Sequence, residues 1–231
     1  MWPEHPLAAL AWLLATLAIY AGSRALHRRF MAWWSAPLLV TWASLLVLIP
    51  LAHSDYRTYL GGTAWLGALL GPATISFALP IYDQRALIRR YWPVLMAGVL
   101  AGSLLSVAVS AALAHLLHFS PVMELSLFPR SVTTPFAMIA SQEIGGVPGI
   151  TASFVAITGI FGATVGPVLI RLLRLRSGFA RGAMLGMGAH GAGVGRAYQL
   201  SAQDGSVAST VMVLAGLLNV LVAVGVAALM G

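Results

Sequence analysis

The chain consists of long runs of apolar residues separated by short polar or arginine-rich stretches. A helix needs about 20 mostly apolar residues to cross the hydrocarbon core of a bilayer. The pattern therefore predicts spans at 7–22, 34–52, 92–117, 150–173, 182–200 and 206–230. Two further runs, 59–82 and 122–144, contain proline and are predicted to be broken helices. The sequence thus predicts an all-α, polytopic helical membrane protein with a single transmembrane domain over residues 1–231.

The two broken runs hold the most informative residues. Hydroxyls, an arginine and two prolines occupy 129–135, and non-helical backbone at membrane depth is tolerated only where protein buries it or where it lines a cavity. Thr134 followed by Pro135 is a good helix start, with threonine as the N-cap and proline as the first helical residue. Gly71 and Pro72 offer a similar start. Each half-helix would point unpaired N–H groups and a positive dipole end inward, which predicts an anion site.

The predicted anion site combines these helix starts with nearby hydroxyls and one charge. The alternative is that the prolines only kink packing helices and that the hydroxyls bond back to their own backbone. For Gly71 and Pro72 the two interpretations stay open, whereas the hydroxyl-rich run beside Arg130 favours a site. The residues assigned to substrate binding are Gly71, Pro72, Thr74, Arg130, Ser131, Thr133, Thr134 and Pro135.

Polar and ionisable side chains inside predicted spans are a second group of candidates, because such groups are costly in a membrane and functional by default. His190 lies in a glycine-rich stretch that predicts unwound backbone, and a histidine can relay protons. Glu143 ends the half-helix that Thr134 begins, while Glu124 precedes the break. The alternatives are a packed histidine, a wetted glutamate and, for Asn219, a hydrogen bond between helices. The residues assigned to coupling or gating are Glu143, His190, Arg196 and Asn219.

Composition supports the membrane class, with 59% hydrophobic and 8% charged residues, where soluble domains have about 25% charged. The net charge is +7, and the basic residues are all arginines, gathered mostly in loops at 24–29, 85–90 and 171–181. The positive-inside rule explains such clusters, so no nucleic-acid partner is expected. With no cysteine and no metal-ligand pattern, we expect no disulfide, metal, cofactor or enzymatic activity. The expected location is the bacterial inner membrane, with several crossings.

The sequence also contains a weak internal repeat and an unresolved topology. Residues 71–74 align with 131–134, and 94–100 with 155–161, at an offset of about sixty residues, as in transporters built from repeats. If every predicted segment crosses the membrane once, the arginine clusters at 85–90 and 171–181 fall on opposite sides. Either one interrupted or glycine-rich segment is re-entrant, or one cluster breaks the positive-inside rule. The sequence leaves this choice open.

Several motifs resemble one known family. They are GPAT at 71–74, SVTTP at 131–135, IGGVP at 144–148, TGIFGA at 158–163 and AHGAG at 189–193. Together they are similar to the LrgB/CidB family, which includes the C-terminal half of the plastidal glycolate/glycerate translocator of plants. The resemblance covers nearly the whole chain. Arg130 stands where the family usually has lysine, while 190–196 fits the family pattern H-G-x-G-x-x-R.

The resemblance implies two different roles. Bacterial members carry an antiholin-like or murein-hydrolase-export role in cell lysis, whereas plant members and some bacterial ones are linked to small monocarboxylates such as glycolate, glycerate or pyruvate. It also implies a smaller LrgA/CidA-like membrane partner. Glycine pairs such as Gly98 and Gly102 favour close helix contact and a homodimer in the lipid. Because interrupted half-helices build anion sites, the residues favour a proton-coupled carboxylate carrier over the holin-like alternative.

Overall fold

The computed structural model describes residues 6–30, 33–69, 71, 72, 75 and 78–230. Within these residues the fold is entirely helical, which confirms the predicted fold class. The chain groups into two compact units, Met1–Ala73 (unit 1) and Thr74–Gly231 (unit 2), where the sequence predicts one domain. The helices are α1 (Pro6–Phe30), α2 (Pro37–Leu51), α3 (Tyr56–Ala68), α4 (Ala78–Asp83), α5 (Arg85–Leu116), α6 (Pro121–Leu127), α7 (Thr134–Glu143), α8 (Pro148–Leu172), α9 (Gly178–Leu200) and α10 (Ala202–Met230).

Four of the described helices are long and apolar enough to cross a membrane. They are Leu7–Phe30, Arg85–Leu116, Pro148–Leu172 and Ala202–Leu229. Much of their surface is exposed and apolar, as expected for helices that face lipid. The protein is therefore a helical membrane protein.

Unit 1 is a three-helix unit in which small residues allow close contact. A Cβ on Gly62 of α3 would overlap the backbone carbonyl of Ala9 in α1, so only glycine permits this approach. The indole Nε1 of Trp12 donates a hydrogen bond to Ser54 Oγ over 3.0 Å, and the hydroxyls of Ser23 and Thr41 are bonded at 2.9 Å. These polar bonds hold α1 against its neighbours.

The predicted break at Gly71 and Pro72 lies at the edge of what the structure describes. Both residues are helical and exposed, while Thr74 lies outside the described residues. The end of α3 at Ala68 and the start of α4 at Ala78 are compatible with a break. A role for this segment stays a prediction.

The second predicted break separates α6 from α7. A 3₁₀ turn at Phe128–Ser131 is followed by extended backbone at Val132 (φ −117°, ψ 152°) and Thr133 (φ −60°, ψ 144°). Helix α7 then begins at Thr134, so its N-cap is Thr133 and not Thr134 as the sequence predicts. The reason is that the Ala137 N–H already donates to the Thr133 carbonyl, which makes Thr134 the first helical residue.

After α7 the chain returns to the point where it left α6. The Val147 N–H donates to Ser126 Oγ over 2.8 Å, and Thr151 Oγ1 donates to the Ser126 carbonyl over 2.9 Å and is hydrogen-bonded to Ser141 Oγ over 2.7 Å. The three hydroxyl side chains in this cluster are fully buried. Residues 126–147 therefore form a hairpin, here called hairpin 1, whose base is bonded to the N-terminal end of α8.

Helix α9 also folds back instead of crossing the molecule once. Its backbone leaves the helical region at His190 (φ 36°, ψ −123°). A Cβ on Gly193 would overlap the carbonyl oxygen of Leu185, although in a straight helix these residues would be about 12 Å apart. Residues 177–201 are thus a second hairpin, hairpin 2, with His190 at its tip. The sequence predicts the unwinding at His190 but treats 182–200 as a span.

An ion pair closes the base of hairpin 2. Arg181 near the start of the hairpin donates from Nε to Asp204 Oδ2 over 2.7 Å and from Nη2 to Oδ1 over 3.1 Å. Ser201 Oγ donates to the same carboxylate over 2.6 Å and accepts the Asp204 N–H over 3.0 Å. Asp204 is fully buried at the N-terminal end of α10, where the helix dipole favours a negative charge. The first and last residues of hairpin 2 therefore lie together.

The two hairpins explain why both arginine clusters of unit 2 lie at the same end. The rings of Tyr91, directly after the first cluster, and Phe179, within the second, lie 5.3 Å apart. At the other end, Phe119 after α5 stacks on Phe154 in α8 with centroids 6.3 Å apart. These two contacts place the end of α5 beside the start of α8, so the two helices run in opposite directions. Hairpin 1 makes this possible, because it enters and leaves the molecule at the same end. Both clusters lie at the same end of unit 2, as the re-entrant alternative requires.

Gly193→Ala is expected to destabilise the protein, because its Cβ would meet the Leu185 carbonyl and force hairpin 2 open. The matched control is Gly195→Ala on the same half-helix, where a Cβ meets open space and a helix former replaces glycine. Thermal unfolding of the purified protein in detergent should give a Tm lower by on the order of 5 °C for the first variant and no loss for the second. Equal Tm values would contradict the fold-back.

Candidate functional site

The tip of hairpin 2 meets the break in hairpin 1 beside the middle of α8. A Cβ on Gly159, near the centre of α8, would lie 3.2 Å from Cε1 and 3.4 Å from Nδ1 of His190, so the imidazole ring packs on this glycine. Val194, one turn after the tip, packs against the buried apolar cluster that includes Val132 of the break and Val155 of α8. Because the two hairpins enter from opposite ends of α8, their interruptions meet at about half the length of a membrane-spanning helix.

His190 has the environment of a ligand-binding side chain. It is 4% exposed, and its Nε2 is a buried side-chain polar atom without a hydrogen-bond partner among the described residues. Hairpin 2 contacts the 3₁₀ turn of hairpin 1 that carries Arg130. A positive φ is also unfavourable for a residue with a Cβ. An unsatisfied buried nitrogen on strained backbone costs stability, and such combinations cluster at functional sites.

Arg130 supplies the positive charge on the other side of this junction. Its side chain is half-buried, and its Nε donates to Ser110 Oγ in α5 over 2.9 Å. In the described part of the chain, its two terminal amino groups donate no hydrogen bond. Ser131, the next residue, is hydrogen-bonded to Ser106 of α5. The 3₁₀ turn of hairpin 1 is therefore held against α5 by two polar contacts.

The start of α7 adds uncommitted hydroxyl donors. Thr133 is buried at the N-cap position, yet its side chain forms no capping hydrogen bond. Thr134 is half-buried, and Pro135 in the first turn is buried and has no N–H to contribute. Since α7 has ten residues, the positive end of its dipole is directed at this junction. The site thus combines a guanidinium, hydroxyls, an imidazole nitrogen and a helix N-terminus, a set that suits a small anion.

The structure does not bring all of the predicted residues together. Glu143 is exposed at the far end of α7, about 13 Å along the helix from Thr134. Arg196 is exposed and donates to Gln199. Asn219 donates from Nδ2 to Ser103 Oγ over 2.9 Å and to the Ala215 carbonyl over 2.8 Å, which ties α10 to α5. Arg130, Ser131, Thr133, Thr134 and His190 remain as the assembled set.

Sequence reasoning missed the serines of α5. Ser103, Ser106 and Ser110 lie at spacings of three and four residues, so they share one face of the helix. Ser103 is hydrogen-bonded to α10, whereas Ser106 and Ser110 are both hydrogen-bonded to the 3₁₀ turn of hairpin 1. The spacing of three hydroxyls within an otherwise apolar helix was the available signal. The ion pair of Arg181 and Asp204 was missed as well.

The geometry and the apolar helices define a class: a helical membrane protein in which two hairpins, entering from opposite ends of α8, meet around a cluster of polar side chains. Comparison with known proteins gives the family. Residues 16–229 match the model of the LrgB-like family, so the chain belongs to that family and the predicted resemblance is confirmed.

Named relatives agree with this assignment. The chain is 39% identical to the uncharacterized protein YwbG of Bacillus subtilis over 90% of this chain and 92% of that protein. It is 30% identical to the antiholin-like protein LrgB of Bacillus subtilis over 80% of each chain. Identity to the holin-like protein CidB of Staphylococcus epidermidis is 26%, over 92% of this chain and 93% of that protein. No solved structure matches the chain.

Proposed function

We propose that this protein is a secondary transporter of a small carboxylate across the bacterial inner membrane. The observation that carries the proposal is the buried Nε2 of His190, which has no partner among the described residues, at a helix break that packs against the second break, which holds Arg130. A carboxylate at this junction would accept hydrogen bonds from the guanidinium and from the Thr133 hydroxyl. Both donors are uncommitted in the described residues, so binding would satisfy them.

Transport, and not only binding, is favoured by the position of the site. Discontinuous helices that meet near the midplane, with half-helix N-termini directed at an anion, recur in secondary transporters. Here the two hairpins reach the site from opposite ends of α8. A solute at the junction would therefore be separated from each face of the membrane by one of the two hairpins. Glycolate, glycerate and pyruvate are the substrates to test, because the family resemblance implies them.

The second candidate is a holin-like or antiholin-like protein that controls lysis through murein hydrolase activity and export. The names of two relatives, holin-like protein CidB and antiholin-like protein LrgB, favour it. A holin-like pore would need no buried anion site. Release of a trapped dye from vesicles would support this candidate, whereas saturable uptake without dye release would support a carrier.

The direct test is uptake of labelled glycolate and pyruvate by proteoliposomes, with and without an imposed pH gradient. A carrier predicts uptake that saturates with substrate and is competed by other small monocarboxylates. Uptake that is linear in concentration and indifferent to competitors would contradict the proposal.

Thr133→Ala and Thr134→Val are each expected to lower uptake several-fold while membrane yield stays normal, because they remove donors at the start of α7 and little core volume. The matched control is Thr164→Val in α8, whose exposed hydroxyl donates only to the carbonyl of Ile160 in its own helix. Unchanged uptake in both test variants would contradict a role for the start of α7 in binding.

His190→Gln is expected to abolish uptake driven by a pH gradient and to spare exchange of labelled for unlabelled substrate at equal pH. The reason is that imidazole changes charge in the range that a proton gradient spans, whereas an amide does not. Glu143→Gln is measured in the same way, since a carboxylate could also carry the coupled proton. Equal loss of uptake and exchange in His190→Gln would contradict proton coupling through His190 and leave it only a binding or folding role.

Two partners belong to the proposal as well: a second copy of the chain and a small LrgA/CidA-like membrane protein. Gly98 of α5 has open space where a Cβ would lie, so its face of the helix is available for contact in the lipid. Gly102, one turn on, instead contacts Met187 of hairpin 2. Co-purification of the chain with a differently tagged copy, and with the small protein, tests both partners.

A further inference from the structure

The serines of α5 divide into one that ties helices together and two that touch the anion site. Ser103 accepts a hydrogen bond from Asn219 of α10 and does not contact Arg130 through a hydrogen bond in the described residues. Ser106 and Ser110 bond Ser131 and Arg130. Ser110 is fully buried and Arg130 is half-buried, so their hydrogen bond is partly shielded from water. A charged donor and a neutral acceptor in such surroundings form a strong hydrogen bond.

The bond from Ser110 determines which edge of the guanidinium is available. A guanidinium is planar and carries five N–H donors in fixed directions, so it binds a carboxylate through one of two edges. One edge uses Nε with a terminal amino group, and the other uses the two terminal amino groups. In Arg130, Nε already donates to Ser110 Oγ over 2.9 Å. The terminal edge is the one left without an acceptor among the described residues.

From this geometry we infer that Ser110 is a positioning residue of the anion site. It holds the guanidinium plane of Arg130 so that the two terminal amino groups meet the substrate carboxylate as a pair. Ser110 itself does not touch the substrate. The inference rests on the proposed carboxylate transport and deepens it, because it assigns the recognition to an end-on, bidentate bond that a planar carboxylate group can accept.

If Ser110 orients the guanidinium, removing its hydroxyl should have different effects when residue 130 is arginine and when it is lysine. An ammonium group is a compact charge with three donors on a flexible stem, so it needs no fixed plane to bind a carboxylate. Removing the Ser110 hydroxyl should therefore weaken substrate binding only when residue 130 is arginine. If Ser110 served only helix packing, Ser110→Ala would change the KM equally with arginine or lysine at position 130.

The experiment measures KM and Vmax for glycolate and pyruvate uptake in proteoliposomes that contain equal amounts of protein. The variants are Ser110→Ala, Ser110→Thr, Arg130→Lys and the double variant Arg130→Lys with Ser110→Ala. Ser103→Ala is the matched control, since it removes an interhelical hydrogen bond of the same serine row without touching Arg130. Membrane yield of each variant reports folding.

We expect Ser110→Ala to raise KM about tenfold with little change in Vmax. A tenfold change corresponds to the loss of about one hydrogen bond to a charged group. Ser110→Thr, which keeps the hydroxyl, and Ser103→Ala should keep the wild-type KM. Adding Ser110→Ala to Arg130→Lys should not raise KM further. A wild-type KM in Ser110→Ala, an equal rise in Ser103→Ala, or an equal rise in the lysine background would overturn the inference.

Uptake by the wild-type protein shows whether a negative result contradicts the positioning role of Ser110 or the proposed transport itself. Saturable uptake by the wild type with no effect of Ser110→Ala overturns only the positioning role. Absence of saturable uptake by the wild type overturns the transport proposal, and the positioning role with it. If Arg130→Lys is too slow for a KM to be measured, the comparison of Ser110→Ala with Ser110→Thr and Ser103→Ala decides the question.

Discussion

Arg130→Ala is expected to abolish saturable uptake of glycolate and pyruvate while the protein still reaches the membrane. The guanidinium is the charged donor at the meeting point of the two hairpins, and its terminal amino groups are free in the described part of the chain. Hydrogen bonds to charged groups contribute about 1.5–3 kcal/mol each. Loss of a bidentate pair, about 3–6 kcal/mol, should therefore lower Vmax/KM by at least about 100-fold.

Arg89→Ala provides the control for this experiment, because it removes the same charge from an exposed position in the first turns of α5. It should transport like the wild type. Measuring both variants at matched membrane yield separates loss of binding from loss of protein. If Arg130→Ala transports normally, the anion-site assignment is wrong, whatever the fold.

The second large effect is expected at the base of hairpin 2, where the two partners of the ion pair are unequally buried. The Asp204 side chain is 1% exposed, whereas the Arg181 side chain is 26% exposed. Arg181→Gln leaves a buried carboxylate without its charged partner, and an uncompensated buried charge is strongly destabilising. We expect this variant to lower the Tm in detergent by on the order of 5 °C or more.

The double variant Arg181→Gln with Asp204→Asn tests that explanation. It removes the buried charge together with its partner, so it should be more stable than Arg181→Gln alone even though it carries one more substitution. Arg171→Gln, at an exposed arginine in the last turn of α8, is the control for loss of positive charge at this end. A double variant that is less stable than Arg181→Gln would show that the carboxylate is not stranded by loss of its partner.

The sequence predicted the membrane class because the length and polarity of apolar runs follow directly from bilayer thickness. It also located the unusual backbone near Arg130 and His190, since proline, glycine and polar side chains are costly in an apolar helix. It could not predict that 182–200 folds back. A straight span and a hairpin have the same apolar composition, and the deciding contact joins Gly193 to Leu185 across the turn.

Other features of the site depend on the direction of side chains, which the sequence does not give. Glu143 shares a half-helix with Thr134, but only the structure places it at the exposed end. The α5 serines were missed because a hydroxyl in a helix commonly bonds its own backbone. The base of hairpin 2 had a readable signal, since Ser201 and Asp204 have the spacing of a capping box before an apolar run.

The placement of both arginine clusters at one end of unit 2 has an electrostatic consequence. Of the arginines in 85–90 and 171–181, only Arg181 forms an ion pair within the described residues. The others create a positive potential around the base of hairpin 2, which attracts anionic lipid headgroups and raises the local concentration of dissolved carboxylates. Carboxylates would then be captured faster from this end than from the opposite one. This kinetic asymmetry would fade as added salt screens the arginines.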